Sequence, residues 1–234
     1  MQTQHLVKNR ILRQLSADEL KSVQPWLTAV KLQSNAVLHE VGAPIGHIYF
    51  PLSGMISLLA VMQSGEAIET GIIGTDGLFG GGAVTNGHFF GQAVVQIDAV
   101  ALKMPKAEFV EACHKHPHLR NLVDRYQSLL MMQAQQNAAC HALHNVRGRL
   151  CRWMLQSQDM IGSPTFSLTQ EFLSHMLGVR RNTVSVEAHA LQQAGLIRYS
   201  RGSITVLDRE GLEECSCECY SAIRAETEKL MGAD

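Results

Sequence analysis

The sequence has little of what most quickly assigns a protein to a functional class. Its 234 residues carry 20 Lys and Arg against 21 Asp and Glu, a formal net charge of −1. It therefore has no overall excess of basic residues of the kind that favours nucleic-acid binding. No segment approaches a membrane span, and the first ten residues lack the apolar core of a secretory signal. We therefore expect a cytoplasmic protein with no membrane partner.

Motifs of the common enzyme classes are also missing. The chain contains no nucleophile elbow, P-loop, HExxH zinc motif or dinucleotide fingerprint. We therefore expect no catalytic residues and no enzymatic activity. Hydrophobic residues make up 46% of the chain, which is ample for buried cores, and the length suits two modest domains or one large one.

The six cysteines predict free thiols rather than a disulfide framework, because the expected compartment is reducing. Cys215, Cys217 and Cys219 alternate along the chain. On a helix the first and third would share a face and Cys217 would point away, which is poor geometry for chelation by one segment. We therefore expect no metal site. Redox sensing by these three cysteines, by Cys140 or by Cys151 stays open as an alternative.

The charge is distributed unevenly. Between His141 and Gly202 there are seven Lys and Arg against three Asp and Glu, whereas from Asp208 onward three basic residues face eight acidic ones. A neutral total can thus contain a basic face, which contact with nucleic-acid phosphates requires.

Residues 167–208 show the pattern of two helices followed by a hairpin. Thr169 is a good N-cap type for a first helix, and Gly178 supplies the left-handed backbone of a tight turn. In a second helix, Val184, Ala188 and Leu191 recur at i, i+4 and i+7 and form a buried stripe. Two β-prone runs after Gly195, joined through Ser200-Arg201-Gly202, predict a small wing.

The segment LTQEFLSHMLGVRRNTVSVEAHALQQAGLIRYSRGSITVLDREGLE resembles the winged helix-turn-helix of the Crp/Fnr family of bacterial transcription regulators. The resemblance implies sequence-specific binding to double-stranded DNA by a homodimer on a pseudo-palindromic site. It also suggests RNA polymerase as a further partner. A module that packs its helix-turn-helix against a protein instead of DNA is the alternative from another class.

The resemblance places the base-reading residues at the start of the second helix. Arginine can bond guanine O6 and N7 together in the major groove. The base-reading candidates are Arg180, Arg181, Asn182, Ser185 and Val186. The candidates for phosphate contacts, which position the protein on the duplex, are Thr169, Gln170, His189, Ser200 and Arg201. Val186 stands where family members commonly carry a further basic residue, so the target sequence should differ from theirs.

Between Leu38 and Met104 short β-rich runs alternate with glycines, as in an antiparallel β-domain. The stretch VLHEVGAPIGHIYFPLSGMISL resembles the cyclic-nucleotide-binding β-roll of the same family. The expected fold is therefore α+β. It comprises a β-roll sensor of the double-stranded β-helix or jelly-roll type at 1–118, a dimerisation helix at 119–147, and a winged helix-turn-helix domain at 148–234.

The predicted helix between sensor and DNA-binding domain contains no Pro or Gly from Leu119 to Val146. Its apolar residues approach a heptad pattern, which predicts a dimer seam. The seam residues would be Leu119, Leu122, Val123, Tyr126, Leu129, Leu130 and Gln133, continuing through Ala134, Ala138, His141 and Val146. A single core helix within one chain is the alternative.

The expected effector pocket lacks the charged partners of a cyclic nucleotide. From Leu78 to Gln92 there is no arginine and no acidic residue, so cyclic AMP is not the expected cofactor and the effector is unknown. The pocket candidates are Gly80, Gly81, Thr85, Phe89, Phe90 and Gln92. A haem-, thiol- or redox-based sensor on the same scaffold remains open, with His114, His116 and His118 as candidate ligands.

Overall fold

The architecture is described from a computed structural model that covers residues 8–85, 87–200 and 202–232. Two short helices, α1 (Arg10–Arg13) and α2 (Ala17–Val23), begin the described part, and a single 3-10 turn (Gln24–Trp26) follows. The Ser16 hydroxyl accepts from the Glu19 backbone N–H, and the Glu19 side chain accepts from the Ser16 N–H. This capping box starts α2 because it satisfies two backbone donors that a helix end leaves open.

The next segment is an antiparallel β-roll. Its strands are β1 (Thr28–Leu32), β2 (Val37–His39), β3 (His47–Val61), β4 (Ala67–Ile73) and β5 (Gln92–Pro105). The sheet order is β1-β5-β3-β4, with β2 also paired to β5. Register shifts interrupt the long β3–β5 ladder at three places, and such bulges bend strands and let a sheet curl. A 3-10 turn (Gly81–Val84) lies between β4 and β5.

Five helices and a small sheet complete the principal frame. They are α3 (Lys106–Lys115), α4 (Pro117–Leu143), α5 (Val146–Ile161), α6 (Gln170–Leu177) and α7 (Arg181–Gln193), with the strands β6 (Thr165–Ser167), β7 (Ile197–Ser200) and β8 (Ser203–Val206), and they are followed by α8 (Arg209–Cys215) and α9 (Cys219–Met231). The second sheet runs β6-β8-β7 and is antiparallel. The α+β fold with an N-terminal β-roll and a C-terminal winged helix-turn-helix is thus confirmed.

The long helix α4 packs its apolar face into its own chain. Leu119, Leu122, Val123, Tyr126 and Leu129 are at most 1% exposed and belong to the β-roll core. The prediction that these residues form the seam between two chains is therefore wrong, because they are buried in the core of their own chain. The other face of the helix stays exposed.

The break after α4 falls at His144 and Asn145, slightly earlier than the expected end of the helix at 147. Asn145 caps α5 by accepting from the Gly148 backbone N–H at 2.8 Å. None of the helices in the described part of the chain has the length and apolar character to cross a bilayer.

A second core joins the two halves of the molecule. Trp153 and Met154 of α5 are buried together with Met55, Leu59 and Ile72 of the β-roll. The same cluster continues into the helix-turn-helix and the wing. The C-terminal domain is therefore packed on the outer face of the sensor sheet, and the two domains share apolar surface.

Candidate nucleic-acid interface and sensor cavity

The two helices α6 and α7 meet through the turn that the sequence predicted. The Thr169 hydroxyl accepts from the Phe172 backbone N–H at 3.2 Å and caps α6. Gly178 ends that helix with φ +59°, and its N–H bonds the His175 carbonyl. Because L side chains rarely adopt this conformation, glycine is the natural residue for the turn.

One face of α7 is buried and the opposite face is open. Val184, Ala188 and Leu191 are at most 3% exposed, which confirms the predicted stripe. Six side chains of α7 are exposed, with Val186 at 66%, and Arg180, the N-cap residue, is exposed beside them. The six are Arg181, Asn182, Val186, His189, Gln192 and Gln193. The cationic and polar side chains therefore project from the rigid end of a helix, where they can reach a partner without unfolding anything.

Ser185 is half-buried between the two helices. Its hydroxyl lies 2.7 Å from the Gln170 Oε1 atom and donates to it. This bond leaves the Gln170 amide N–H groups to donate outward, whereas the single Ser185 hydrogen is already used. The structure thus assigns Ser185 a positioning contact between α6 and α7.

The wing is held against the helices by its aromatic residue. The Tyr199 hydroxyl donates to the Leu168 carbonyl at 3.1 Å, and the Tyr199 backbone N–H donates to Gln192 Oε1 at 2.8 Å. Ser200 is exposed at the end of β7. Arg201, a predicted phosphate contact, lies outside the described residues. The sequence predicted β7 and β8 but missed β6, which is only three residues long.

An ion pair removes the only negative charge of α7 from this surface. Arg147 Nε lies 2.8 Å from Glu187 Oε2, which joins α5 to α7. Glu187 is the sole acidic residue of α7, so the exposed face of the helix keeps its positive character. A duplex backbone is attracted by such a surface.

The β-roll contains a cavity of about 400 Å³ against α4. Its walls come from the strands, from the glycine-rich segment after β4 and from Gln127, Leu130, Met131 and Ala134 of α4. Among the described residues, no Lys, Arg, Asp or Glu lines it. Thr70, His88 and Gln127 are its polar side chains.

Four of the six predicted pocket residues contribute to this cavity, namely Gly80, Gly81, Phe89 and Phe90. The Phe89 ring stacks edge-on against Phe79 with the ring centroids 5.7 Å apart. The predictions for Thr85 and Gln92 are wrong. Thr85 is exposed and bonds the Gly82 carbonyl, and Gln92 reaches away to donate to Glu40 at 2.8 Å.

Cys151, one of the thiols considered as redox sensors, is poorly placed for reaction, and so is Cys113. Cys113 and Cys151 are buried, and burial raises the pKa of each thiol to about 12. Because the thiolate is the reactive form, neither has the character of a sensor. The three candidate histidine ligands do not converge, because the group of metal-ligand atoms found among the described residues includes none of them.

A buried polar cluster lies between the sensor sheet and α5, and sequence reasoning did not find it. Glu69 accepts from the Ser57 hydroxyl at 2.7 Å and from the Trp153 indole N–H at 3.0 Å. Burial raises the pKa of Glu69 to about 7. Arg152 donates to Asn137 and Gln156 beside it. The cluster therefore links β3 and β4 to the DNA-binding half through a carboxyl group that titrates near neutrality.

Two family models match the chain. Residues 29–116 match the cyclic nucleotide-binding domain, and residues 148–215 match the Crp-like helix-turn-helix domain. Among curated relatives, a global nitrogen regulator of Synechocystis sp. is 24% identical over 175 residues, 70% of this chain and 78% of that protein. A cyclic AMP receptor protein of Thermus thermophilus is 22% identical over 185 residues, 76% of this chain and 86% of that protein.

Solved structures share the fold. FixK2 from Bradyrhizobium japonicum has a TM-score of 0.70 at 13% identity, over 82% of this chain and 98% of that chain. A Crp/Fnr-family regulator from Eubacterium rectale has a TM-score of 0.68 at 16% identity, over 89% of this chain and 98% of that chain. The exposed arginines of α7, the wing and the β-roll cavity are thus the parts of a known architecture, and the chain belongs to the Crp/Fnr family of DNA-binding transcription regulators.

Proposed function

We propose that this regulator reads a pseudo-palindromic DNA site as a homodimer and that cyclic AMP is not its effector. The observation that carries the proposal is the exposed face of α7, where two arginines and an asparagine stand at the N-terminal end of a helix whose other face is buried. It acts as a regulator rather than an enzyme, in the cytoplasm with the chromosome. RNA polymerase as a partner remains a prediction from the family resemblance.

Arg181 is the principal base reader in this proposal. Its position at the start of α7 allows the guanidinium to reach the floor of a major groove and bond guanine O6 and N7. Asn182 reads an adjacent base, and the exposed Val186 side chain contacts a thymine methyl. Arg180 reads a base or holds a phosphate. Ser185 contributes by fixing α7 on α6 through Gln170.

The phosphate contacts come from the rim of the same surface. Gln170 offers its amide N–H groups, and the Thr169 hydroxyl, which accepts from the backbone, still has its own hydrogen to donate. His189 of α7 and Ser200 at the end of β7 are both exposed. Arg201 is retained from the sequence prediction. Such contacts set the register of the protein on the duplex without reading its sequence.

Dimerisation uses the open face of α4, which shares only Leu130, Ala134 and Ala138 with the predicted seam. Gln127, Leu130, Met131, Ala134 and Ala138 form a stripe at helical spacing beside the cavity, and Met131 is 63% exposed. Small and apolar residues along one stripe allow a second α4 to approach closely. The dimer would place two copies of α7 on one side of the molecule.

Sedimentation tests this interface. Met131→Glu with Ala138→Glu should convert a dimeric parent to monomers that keep the parent's circular-dichroism spectrum. Ala222→Glu with Ala225→Glu places the same charges on the exposed face of another helix, α9, and should leave the dimer intact. A parent that stays monomeric at micromolar concentration contradicts the homodimer.

Selection from a random duplex pool tests the DNA-binding proposal as a whole. The parent should enrich a two-fold symmetric sequence with half-sites about one helical turn apart. The affinity for that sequence should fall steeply with salt, because phosphate contacts release counterions. Enrichment of no sequence, together with capture of a protein partner through α7, would instead favour an interaction module.

A further inference from the structure

The C-terminal cysteines are arranged differently from the helical placement that the sequence suggested. Helix α8 ends at Cys215 and α9 begins at Cys219, so Cys217 lies in an irregular turn between them. This turn packs against the end of α4, where it meets Cys140 and His144. The expectation of poor chelating geometry within one segment is therefore overturned, because a second segment supplies ligands and Cys217 is not on a helix face.

Four metal-ligand atoms converge at this junction. The Sγ atoms of Cys140, Cys217 and Cys219 and one ring nitrogen of His144 lie within 4.8 Å of one another. The Cys140 and Cys217 sulfurs are 3.5 Å apart, and the Cys219 sulfur is 3.4 Å from His144 Nδ1. In a tetrahedron with Zn–S bonds of about 2.3 Å, the ligand atoms are separated by about 3.5–3.8 Å. Those two contacts already have nearly this spacing.

The surrounding donors are those that stabilise thiolate ligands. Gln136 Nε2 donates to the Cys219 sulfur at 3.1 Å, and the Cys219 backbone N–H bonds the Cys217 sulfur. The other His144 nitrogen, Nε2, lies 3.9 Å from the Glu218 carboxylate. At this distance the exposed carboxylate makes no hydrogen bond to the ring, and Nδ1 is the ring nitrogen that faces the Cys219 sulfur.

Two buried arginines face the same junction. Arg149 and Arg152 are 6% and 3% exposed, and within the part of the chain that the structure describes neither has a carboxylate at salt-bridge distance. Their positive charges act on Cys140 and Cys217. Three thiolates, one neutral imidazole and a divalent cation carry a single net negative charge, which would partly balance these buried cations.

The hydrogen bond between Cys140 and Cys217 lowers the pKa of Cys217 and raises that of Cys140. The two sulfurs lie 3.5 Å apart and share one proton between them. Metal binding would replace the shared proton, since thiolate rather than thiol is the ligand.

We propose that Cys140, His144, Cys217 and Cys219 bind one zinc ion in a closed tetrahedral site. A set of three sulfurs and one imidazole suits zinc, and four protein ligands leave no open position for catalysis. Cys140 and Cys219 are fully buried, as expected of a structural rather than an exchangeable site.

The site would hold together the parts of the molecule that meet at the α4–α5 break. Cys140 lies in the last turn of α4 and His144 directly follows that helix, whereas Cys217 lies in the turn between α8 and α9 and Cys219 begins α9. The Cys217 backbone N–H bonds the Gly148 carbonyl of α5. One ion would therefore fix the orientation of the DNA-binding domain relative to the sensor helix. Its structural effect does not depend on which DNA sequence is read.

Metal analysis of the full-length protein, purified reduced from zinc-supplemented cells, tests the proposal. The parent should carry one zinc per chain. Cys217→Ser and His144→Gln should each lower the zinc content or affinity at least about tenfold. Cys215→Ser is the matched control, because this half-buried cysteine lies two positions from Cys217 outside the ligand set, and it should retain the parent's zinc.

Cobalt titration of the metal-free parent gives a readout that does not depend on any variant. One equivalent of Co²⁺ should produce the visible bands of a tetrahedral site together with thiolate charge-transfer absorption. Absence of both zinc and this spectrum overturns the proposal. So does recovery of iron with sulfide in place of zinc, or of a Cys140–Cys217 disulfide as the form that persists under the same reducing conditions.

Discussion

The recognition helix and the sensor cavity are built from opposite side-chain chemistry. On α7 the charged and polar groups are exposed and the apolar stripe is buried. The cavity of the β-roll is lined by apolar side chains, glycines and a few polar groups, and no described residue that lines it is a Lys, Arg, Asp or Glu. A charged ligand needs opposite charges already in place, because an unpaired buried charge is costly. The two regions therefore favour different partners, an anionic duplex for one and a weakly polar molecule for the other.

The largest expected effect concerns the helix that walls the cavity. Leu129 of α4 is fully buried, so Leu129→Ala should lower the free energy of unfolding by about 2–5 kcal/mol through lost burial and a residual cavity. Met131, two residues away and 63% exposed, is the control. Met131→Ala should lower the free energy of unfolding by less than about 1 kcal/mol when dimer concentration is held constant. Urea denaturation measures both. Equal losses would contradict the assignment of buried and open faces.

The next effect arises where the two regions meet. Because the pKa of Glu69 is raised from 4.5 to about 7, the folded protein binds a proton there that the unfolded chain has released. Stability must therefore fall as pH rises between these values. Glu69→Gln removes this titration and keeps the shape of the side chain. Between pH 4.5 and 7 the free energy of unfolding of the parent should therefore fall by about 3 kcal/mol relative to that of the variant.

The comparison between parent and Glu69→Gln isolates this one group. The pKa of His141 is lowered to about 4 mainly by burial. Because His141 titrates in both proteins, it does not contribute to the difference between their free energies of unfolding. Denaturation at several pH values measures the gap. A gap that stays constant between pH 4.5 and neutrality would show that Glu69 is ionised throughout.

On the recognition helix, Arg181→Ala should weaken binding to the selected site by about 1–3 kcal/mol per reading arginine and relax specificity at one base pair in each half-site. Lys21, a highly exposed cation on α2, provides the control, and Lys21→Ala should bind as the parent does. Fluorescence anisotropy with a panel of single-base variants measures both. If the Arg181 variant keeps the parent's base preference, Arg181 does not read a base.

The smallest expected effect is that of cyclic AMP. The nucleotide should neither bind detectably nor change DNA affinity, because its phosphate would meet no cation in the cavity. Arg120 pairs with Asp124 at 2.8 Å, and neither it nor Arg125 lines the cavity. Calorimetry with dimeric protein measures binding directly. A micromolar dissociation constant would show that the partner subunit supplies the missing charge.

The helix-turn-helix could be predicted closely because its determinants are local. Thr169 caps its helix, Gly178 turns the chain, and the stripe of Val184, Ala188 and Leu191 is spaced for burial. Each feature acts over a few residues, so neighbouring positions in the sequence carry the signal. The short strand β6 was missed because its pairing partner, β8, lies about forty residues away.

The long helix shows where local patterns stop being sufficient. Its apolar positions predict one buried face, but periodicity does not say whether the neighbour is a second chain or the same one. The β-roll core covers Leu122, Tyr126 and Leu129, which leaves Met131 and Ala138 for a partner. Pocket prediction failed at Thr85 and Gln92 for a related reason, since side-chain direction in loops depends on contacts made elsewhere.

The sequence by itself determined the order of β-roll, long helix and winged helix-turn-helix, and the lack of charge in the effector segment. Tertiary structure alone decided which face of α4 is buried, which segments surround the cavity, and that Cys140 and His144 meet Cys217 and Cys219. The physical reason is distance along the chain. Helix caps, turns and periodicity are short-range properties, whereas the sulfur cluster joins residues more than seventy positions apart that come together only when the two domains pack.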